Sequence, residues 1–207
     1  METLNADSHS LVNGRLVRLA AEASMPSRFG EFRVVAFDSV DGKEYGAVVK
    51  GDIRGVDNVP VRLHSECFTG DLMGSFRCDC RDQLEAALAY IGKAEVGAVL
   101  YLRQEGRGIG LANKVRAYAL QDAGLDTVEA NLALGFEDDE RTYDVAAQML
   151  EELGVSSVMV LTNNPKKCEG LERNGIHVAG RIPHKMEPNQ HNVEYLRTKR
   201  DKSGHLL

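Results

Sequence analysis

Three neighbouring stretches decide the fold class: Leu84-Glu-Ala-Ala-Leu-Ala-Tyr-Ile91, Val96-Gly-Ala-Val-Leu-Tyr-Leu102 and Glu105-Gly-Arg-Gly-Ile-Gly110. In the first, Leu84, Ala87, Leu88 and Ile91 recur at helical spacing, and Asp82 with Glu85 three residues later predicts a capping box at the helix start. The second is a short, continuous apolar run and reads as a buried strand. The third is a glycine-rich loop that opens a second helix, on which Leu111, Val115 and Tyr118 share one face.

Working outward toward the N-terminus, Phe32 to Phe37, Tyr45 to Val49 and Val59 to Leu63 read as β-runs. Turn signals separate them at Asp41-Gly42, Gly51-Asp52 and Asp57-Asn58. Residues 1–28 read as a polar N-terminal extension with a short apolar patch from Leu16 to Ala23, ending at Pro26-Ser27. Toward the C-terminus, Thr142 to Leu153 reads as a third helix with Val145, Met149 and Leu153 inward, and Ser157 to Leu161 as a strand. Asn164-Pro165 supplies an N-cap and first residue for a fourth helix that ends near Asn174-Gly175. Lys199, Arg200 and Lys202 read as a solvated tail. The expectation is an α+β fold: a mixed β-sheet core, a β-rich N-terminal third and flanking helices, in a single domain over residues 29–207.

Composition sets the bounds. The chain has 207 residues, 43% apolar and 27% charged, with a formal charge of −6. This is ordinary globular usage and argues against disorder or coiled coil. A chain of this length buries roughly 70% of its unfolded surface, enough to fold without disulfide staples. Met1 to Ser10 lack a basic and then apolar signal pattern, and no apolar run approaches the ~20 residues of a membrane span, so a cytoplasmic protein with no membrane partner is expected. The acidic total argues against nucleic acid as a partner and says nothing about a local basic pocket.

Four cysteines are too few for a secreted disulfide scaffold. Cys67 followed by Cys78-Asp-Cys80 instead has the clustering of a zinc site. Structural zinc sites are closed by four protein ligands, whereas catalytic ones keep a position open. Three cysteines leave that position, unless Cys168, far along the chain on a predicted helix, closes the shell. Small buried thiols without metal are the plain alternative. His64-Ser-Glu66 has the His-x-Glu of zinc deaminases, but the Pro-Cys-x-x-Cys of those enzymes is absent. A glutamate beside a zinc site is nonetheless suited to carrying protons. Three thiolates give the metal a net negative charge, so such a site needs local cations or a general base, and Arg77 and Arg81 flank the Cys-x-Cys. Arg103, Glu105 and Arg107 in the glycine loop, Asp138-Asp139-Glu140-Arg141, and Lys166 with Lys167 in the first turn of a helix add charge suited to a phosphorylated heterocycle.

Together, Arg62-Leu-His-Ser-Glu-Cys67, Thr69-Gly-Asp71, Arg77-Cys-Asp-Cys80, Gln83-Leu-Glu85, Arg103-Gln-Glu-Gly-Arg107, Lys114-x-Arg-Ala-Tyr118, Asp126-Thr-Val-Glu-Ala-Asn131, Leu134-Gly-Phe136, Asp139-Glu-Arg141 and Leu161-Thr-Asn-Asn-Pro-Lys-Lys167 resemble the GTP cyclohydrolase II family. The likeness runs from about Val61 to Gly204-His-Leu-Leu207. It implies the first committed step of riboflavin synthesis, in which GTP and water give 2,5-diamino-6-ribosylamino-4(3H)-pyrimidinone 5′-phosphate, formate and pyrophosphate. The resemblance also implies one Zn2+ per chain, Mg2+ with the GTP phosphates, and a homodimer.

By position, the resemblance makes Cys67, Cys78 and Cys80 the zinc ligands. It assigns Arg62, Leu63, His64, Ser65 and Glu66 to the GTP site, together with Gln83, Glu105, Gly106, Arg107, Thr127, Thr162 and Lys167. Asp139 matches the family's proton acceptor, Arg141 its proposed nucleophile toward the α-phosphorus, and Tyr118 its active-site tyrosine. Arg141 is expected to be essential, although a protonated arginine is a poor nucleophile. Arg81 stands where the family often has glycine, and the leader has no counterpart in it. That leader is far too short for the dihydroxybutanone-phosphate synthase domain of some relatives, so a single activity is expected. The alternatives are a zinc deaminase, which would release ammonia, and a zinc-stabilised binding module without turnover.

Overall fold

Two kinds of strand build one seven-stranded sheet in the computed structural model, which describes residues 14–206. Val17–Ser27 (β1), Gly30–Ser39 (β2) and Glu44–Lys50 (β3) form an antiparallel meander, and β3 pairs antiparallel with Gly97–Leu102 (β5). Val59–Ser65 (β4) runs parallel to β5 and to Val158–Leu161 (β6), which in turn runs parallel to Val178–Ile182 (β7). The strand order is β1-β2-β3-β5-β4-β6-β7.

Period-two alternation sorts each strand between two cores. Val35 and Phe37 of β2, Val61 and Leu63 of β4, and Ala98, Leu100 and Leu102 of β5 pack into one cluster. That cluster includes Met149, Leu150 and Leu153 of Asp144–Leu153 (α4) and Leu171 of Pro165–Arg173 (α5). On the opposite face Phe32, Val99 and Leu161 meet Ala87 and Ile91 of Cys80–Lys93 (α1). The central strands are covered on both sides, so β5 reads as an unbroken apolar run. The remaining helices are Gly110–Asp122 (α2), Thr127–Ala133 (α3) and Val193–Asp201 (α6).

The observed fold corrects several expectations. Residues 1–13 lie outside the described residues, but from Val17 the expected N-terminal extension is strand β1, paired with β2 from Val17↔Ser39 to Ser27↔Gly30. Its alternate positions Val17, Leu19, Ala21, Ala23 and Met25 are apolar, but only Val17 is buried. The α1 helix starts at Cys80 with Asp79 as N-cap, two residues before the expected capping box. On α2 the expected inner residues Leu111 and Val115 are exposed, while Lys114 and Ala117 are buried. The helix is rotated because Lys114 is drawn inward by polar partners described below. Neither β7 nor α6 was anticipated, nor was α3. The capping box at the start of α3 is legible nonetheless: Asp126 accepts from the Val128 and Glu129 amides, and Glu129 accepts from the Asp126 amide.

The sheet also determines where chemistry can occur. All four parallel strands end on the same edge, and the segments leaving it carry Glu66-Cys67, Arg103 to Arg107, Thr162 to Asn164, and His184. The C-terminal ends of parallel strands are the usual place for a ligand crevice in such sheets.

Candidate active site

Strand β4 directs its polar residues into that crevice. While Val61 and Leu63 face the core, the alternate residues Arg62 and His64 are buried on the other face and line a cleft with Ser65, Glu66 and Cys67. Cys78 and Cys80 enter the same cleft from the start of α1. The sulfurs of Cys67, Cys78 and Cys80 all lie within 4.8 Å of one another. A tetrahedral zinc with bonds of about 2.3 Å needs sulfurs about 3.8 Å apart, and those of Cys67 and Cys78 are separated by 3.7 Å.

Gly70 makes the approach possible. A Cβ there would stand 2.8 Å from the Cys78 sulfur and 3.0 Å from that of Cys67. The three thiols share charge unequally. The Cys78 and Cys80 S–H groups and the Lys114 ammonium hold Cys67 far below the usual thiol range, and interaction with Cys67 pushes Cys78 up to about 11. Cys168 belongs elsewhere: it lies on α5 and packs against the core, and burial raises its thiol pKa.

The cation that the cluster needs comes from a residue that the sequence reading passed over. Lys114 Nζ donates to Cys67 Sγ at 3.0 Å and to Glu105 Oε1 at 2.8 Å. Burial opposes its charge, but Glu105 and Cys67 outweigh burial and raise its pKa. The i,i+4 spacing of Lys114 and Tyr118, which puts both on one helix face, was the available signal. Of the two expected arginines, Arg77 lies over the Tyr118 ring at 4.8 Å and pairs with Asp122, whereas Arg81 turns outward to Glu85 at 3.3 Å.

Asp71 ties the loop that carries Cys67 to the sheet. Its carboxylate accepts from the Cys67 amide at 3.0 Å, His64 Nε2 at 3.0 Å and the Tyr101 hydroxyl at 2.8 Å. Donation from Nε2 leaves His64 Nδ1 as an acceptor without a partner among the described residues. Burial pushes the His64 pKa down, so the ring is neutral.

The other side of the cleft is cationic. Arg62 Nη1 donates to the Leu161 carbonyl at 2.9 Å and Nη2 to Gln83, and burial lowers its pKa to about 10. Lys167 Nζ donates to the Leu63 carbonyl at 2.5 Å. Burial, with Arg62 and Arg141 nearby, pushes its pKa well below the usual lysine range. Arg141 is gripped by Asp139 through Nε at 2.7 Å and Nη2 at 2.6 Å. Burial works against both charges, yet the pairing keeps Asp139 low and Arg141 high. Arg107, in the left-handed region at φ 61°, binds Asp138 and the Ser203 hydroxyl. Buried atoms without a partner among the described residues include Arg62 Nε, Arg107 Nη2 and Asn164 Nδ2, which suits a ligand rich in acceptors.

Most of the residues expected in the site converge here. Gln83, Gly106, Thr127 and Thr162 line the cleft with those already described, and Tyr118 does so with its hydroxyl 3.3 Å from Thr69 Oγ1. Glu66 lines it too, its carboxylate accepting from Arg103 Nε at 3.0 Å. Two residues need correction. The Leu63 side chain lies in the core, because β4 alternates, and offers only its carbonyl. Asp139 is not among the lining residues and touches the cleft only by binding Arg141. Lys199, expected in a solvated tail, is buried in the cleft wall with Tyr195 and His205 close by, whereas Arg200 and Lys202 are exposed as expected.

Comparison with known proteins fits this geometry. The family model described as GTP cyclohydrolase II matches residues 17–183. The chain is 50% identical over 192 residues to the GTP cyclohydrolase-2 of Picrophilus torridus, covering 93% of this chain and 100% of that one. It is 55% identical over 192 residues to the GTP cyclohydrolase-2 of Proteus mirabilis, covering 92% and 96%. With the riboflavin biosynthesis protein RibBA of Bacillus subtilis it shares 53% over 194 residues, which is 93% of this chain and 49% of that relative, so it spans about half of that longer protein.

Proposed function

The chain belongs to the GTP cyclohydrolase II family, and on that premise we propose that this cleft opens the imidazole ring of GTP with zinc and releases formate, pyrophosphate and 2,5-diamino-6-ribosylamino-4(3H)-pyrimidinone 5′-phosphate. The chain is thus an enzyme of riboflavin biosynthesis, with family membership behind its activity and the site carrying the finer reading. The observation that carries it is the meeting, in one cleft, of three thiols spaced for zinc with the buried cations Arg62, Arg141 and Lys167.

Cys67, Cys78 and Cys80 would hold the zinc, which when bound supplies a Lewis acid and an activated water for the hydrolysis. Lys114 offsets the negative charge of the thiolates from 3.0 Å. Arg62, Arg141 and Lys167 bind the triphosphate, whose charge favours the ammonium form of Lys167 against the burial that disfavours it. Arg141 acts as a fixed cation on the phosphate rather than as a nucleophile, since Asp139 keeps it protonated. Asp139, low and occupied, holds Arg141 in place and is a poor proton acceptor. Glu66 carries protons at the zinc side. The Tyr118 hydroxyl donates to the formamide oxygen once the ring has opened. Mg2+ is proposed to arrive on the nucleotide's own phosphates, because Asp138 and Asp139 are both engaged by guanidinium groups. A homodimer in the cytoplasm completes the reading.

The test is incubation with GTP, Zn2+ and Mg2+, followed by assay of formate, pyrophosphate and the released heterocycle. Formate and pyrophosphate in equal amounts are expected. Ammonia without formate, or no turnover by the zinc-loaded chain, refutes the proposal.

A further inference from the structure

Helix α6 lies beyond the residues 17–183 that match the family model, yet it forms part of the cleft wall. Its Lys199 is buried, with Nζ 4.2 Å from the centre of the Tyr195 ring and 3.0 Å from Asp79 Oδ1. Asp79 is 1% exposed and sits between Cys78 and Cys80. Its second oxygen accepts from Gln83 Nε2, and Gln83 Oε1 accepts from Arg62 Nη2. An amide has one donor end and one acceptor end, so Asp79 decides which end faces Arg62. Lys199, Asp79, Gln83 and Arg62 thus form one buried chain linking the Cys-x-Cys turn to a cation of the cleft.

We infer that Lys199 is a positioning residue that holds the Cys78–Cys80 turn and, through Gln83, aims Arg62 at the substrate; this rests on the zinc and GTP reading given above. With Lys199 neutralised, Asp79 keeps the Gln83 amide and its own backbone amide, and the cation at the far end of that glutamine is Arg62. The carboxylate turns toward Arg62, competes with substrate phosphate for it, and drags both flanking sulfurs out of place. The helix itself stays docked through contacts that do not involve the Lys199 side chain. Ser203 Oγ accepts from Arg107 at 3.2 Å, the Leu206 amide donates to the Asn163 carbonyl at 2.8 Å, and Lys202 pairs with Asp126.

The experiment uses the zinc-loaded full chain and Lys199→Met, which keeps length and removes charge. Loss of a residue that supports metal ligands typically lowers metal affinity about 10–100-fold. Zinc transfer to a competing chelator should be faster by a factor in that range, and KM for GTP should rise about tenfold with a smaller change in kcat. Asp79→Asn should do the same, and the double variant should be no worse than either single one, since both cut one chain. If Lys199→Met does not fold, Asp79→Asn carries the same test from the other side of the pair. A variant with a lowered melting temperature but wild-type zinc retention and KM overturns the inference, as does full additivity in the double variant. Those outcomes leave wild-type turnover intact, whereas a wild-type chain without zinc or turnover refutes the function proposed above and this inference with it.

Discussion

Gly70→Ala is the sharpest probe of the three-sulfur cradle. The added Cβ would sit 2.8 Å from Cys78 Sγ, 3.0 Å from Cys67 Sγ and 3.0 Å from Cys80 Cβ. The first of these is closer than Cβ contacts come and the other two are tighter than nearly all of them, so the neighbours must give by at least a few tenths of an ångström, whereas metal–ligand distances hold to about 0.2 Å. Gly70 has no positive φ, so alanine brings no backbone strain and the effect is steric alone. Overpacking of this kind costs about 1–3 kcal/mol, and if it falls on the metal-bound geometry, zinc affinity drops about 5- to 150-fold. Chelator competition measures it directly. Gly46→Ala on β3, where the Cβ would meet only the Val35 carbonyl at 3.9 Å, is the control and should keep wild-type affinity. A Gly70→Ala protein with wild-type zinc affinity would show that these sulfurs do not close around a metal as argued.

Further outcomes follow from the same geometry. Cys168→Ser should retain zinc and turnover, while serine at Cys67, Cys78 or Cys80 should abolish both, as metal analysis and a formate assay would reveal. Arg141→Ala should slow pyrophosphate release by about 10²–10³ with zinc still bound; unchanged release would remove Arg141 from the phosphate site. Tyr118→Phe keeps the packing and should accumulate the formamidopyrimidine nucleotide, with formate lagging pyrophosphate; equal amounts at wild-type rate would return Tyr118 to a packing role. His184 donates from Nε2 to the Gln83 carbonyl at 2.8 Å, and burial lowers its pKa to about 4. The unfolded chain, titrating near 6.5, therefore binds more protons between those values, so stability should be full above pH 6.5 and fall as pH drops toward 4. His184→Gln should flatten that acid limb in melting curves, and an unaltered slope would exclude His184 as its source.

The parts of the molecule that the sequence disclosed are those governed by local periodicity or by tight spacing. β5 and α1 follow from apolar recurrence, α5 from Asn164-Pro165, and the cysteine cluster from its spacing. Leu63 stood inside a contiguous motif, but strand alternation sends its side chain to the core, a distinction that depends on the sheet face and not on the motif. Lys114 was hidden for a related reason. On an amphipathic helix a buried lysine looks like a surface one until its partners, Glu105 on a loop and Cys67 after another strand, are brought to it. Lys199 lies further still from any local rule, since its charge is matched by a carboxylate in another element. β1 escaped although Val17, Leu19, Ala21, Ala23 and Met25 alternate, because alanine is a poor strand former and Pro26 reads as a break.

The cleft is stitched from residues remote in sequence, and this has a kinetic side. Lys199 and Asp79 are 120 positions apart, Arg62 and Leu161 are 99 apart, and Arg107 and Ser203 are 96 apart. The β1–β2–β3 meander joins immediate neighbours instead. Contacts that close long loops form later than local ones, so during refolding the meander is expected to assemble before the cleft is complete. Far-ultraviolet dichroism would then recover ahead of GTP turnover, and mild denaturant would silence the enzyme while most of the sheet still stands.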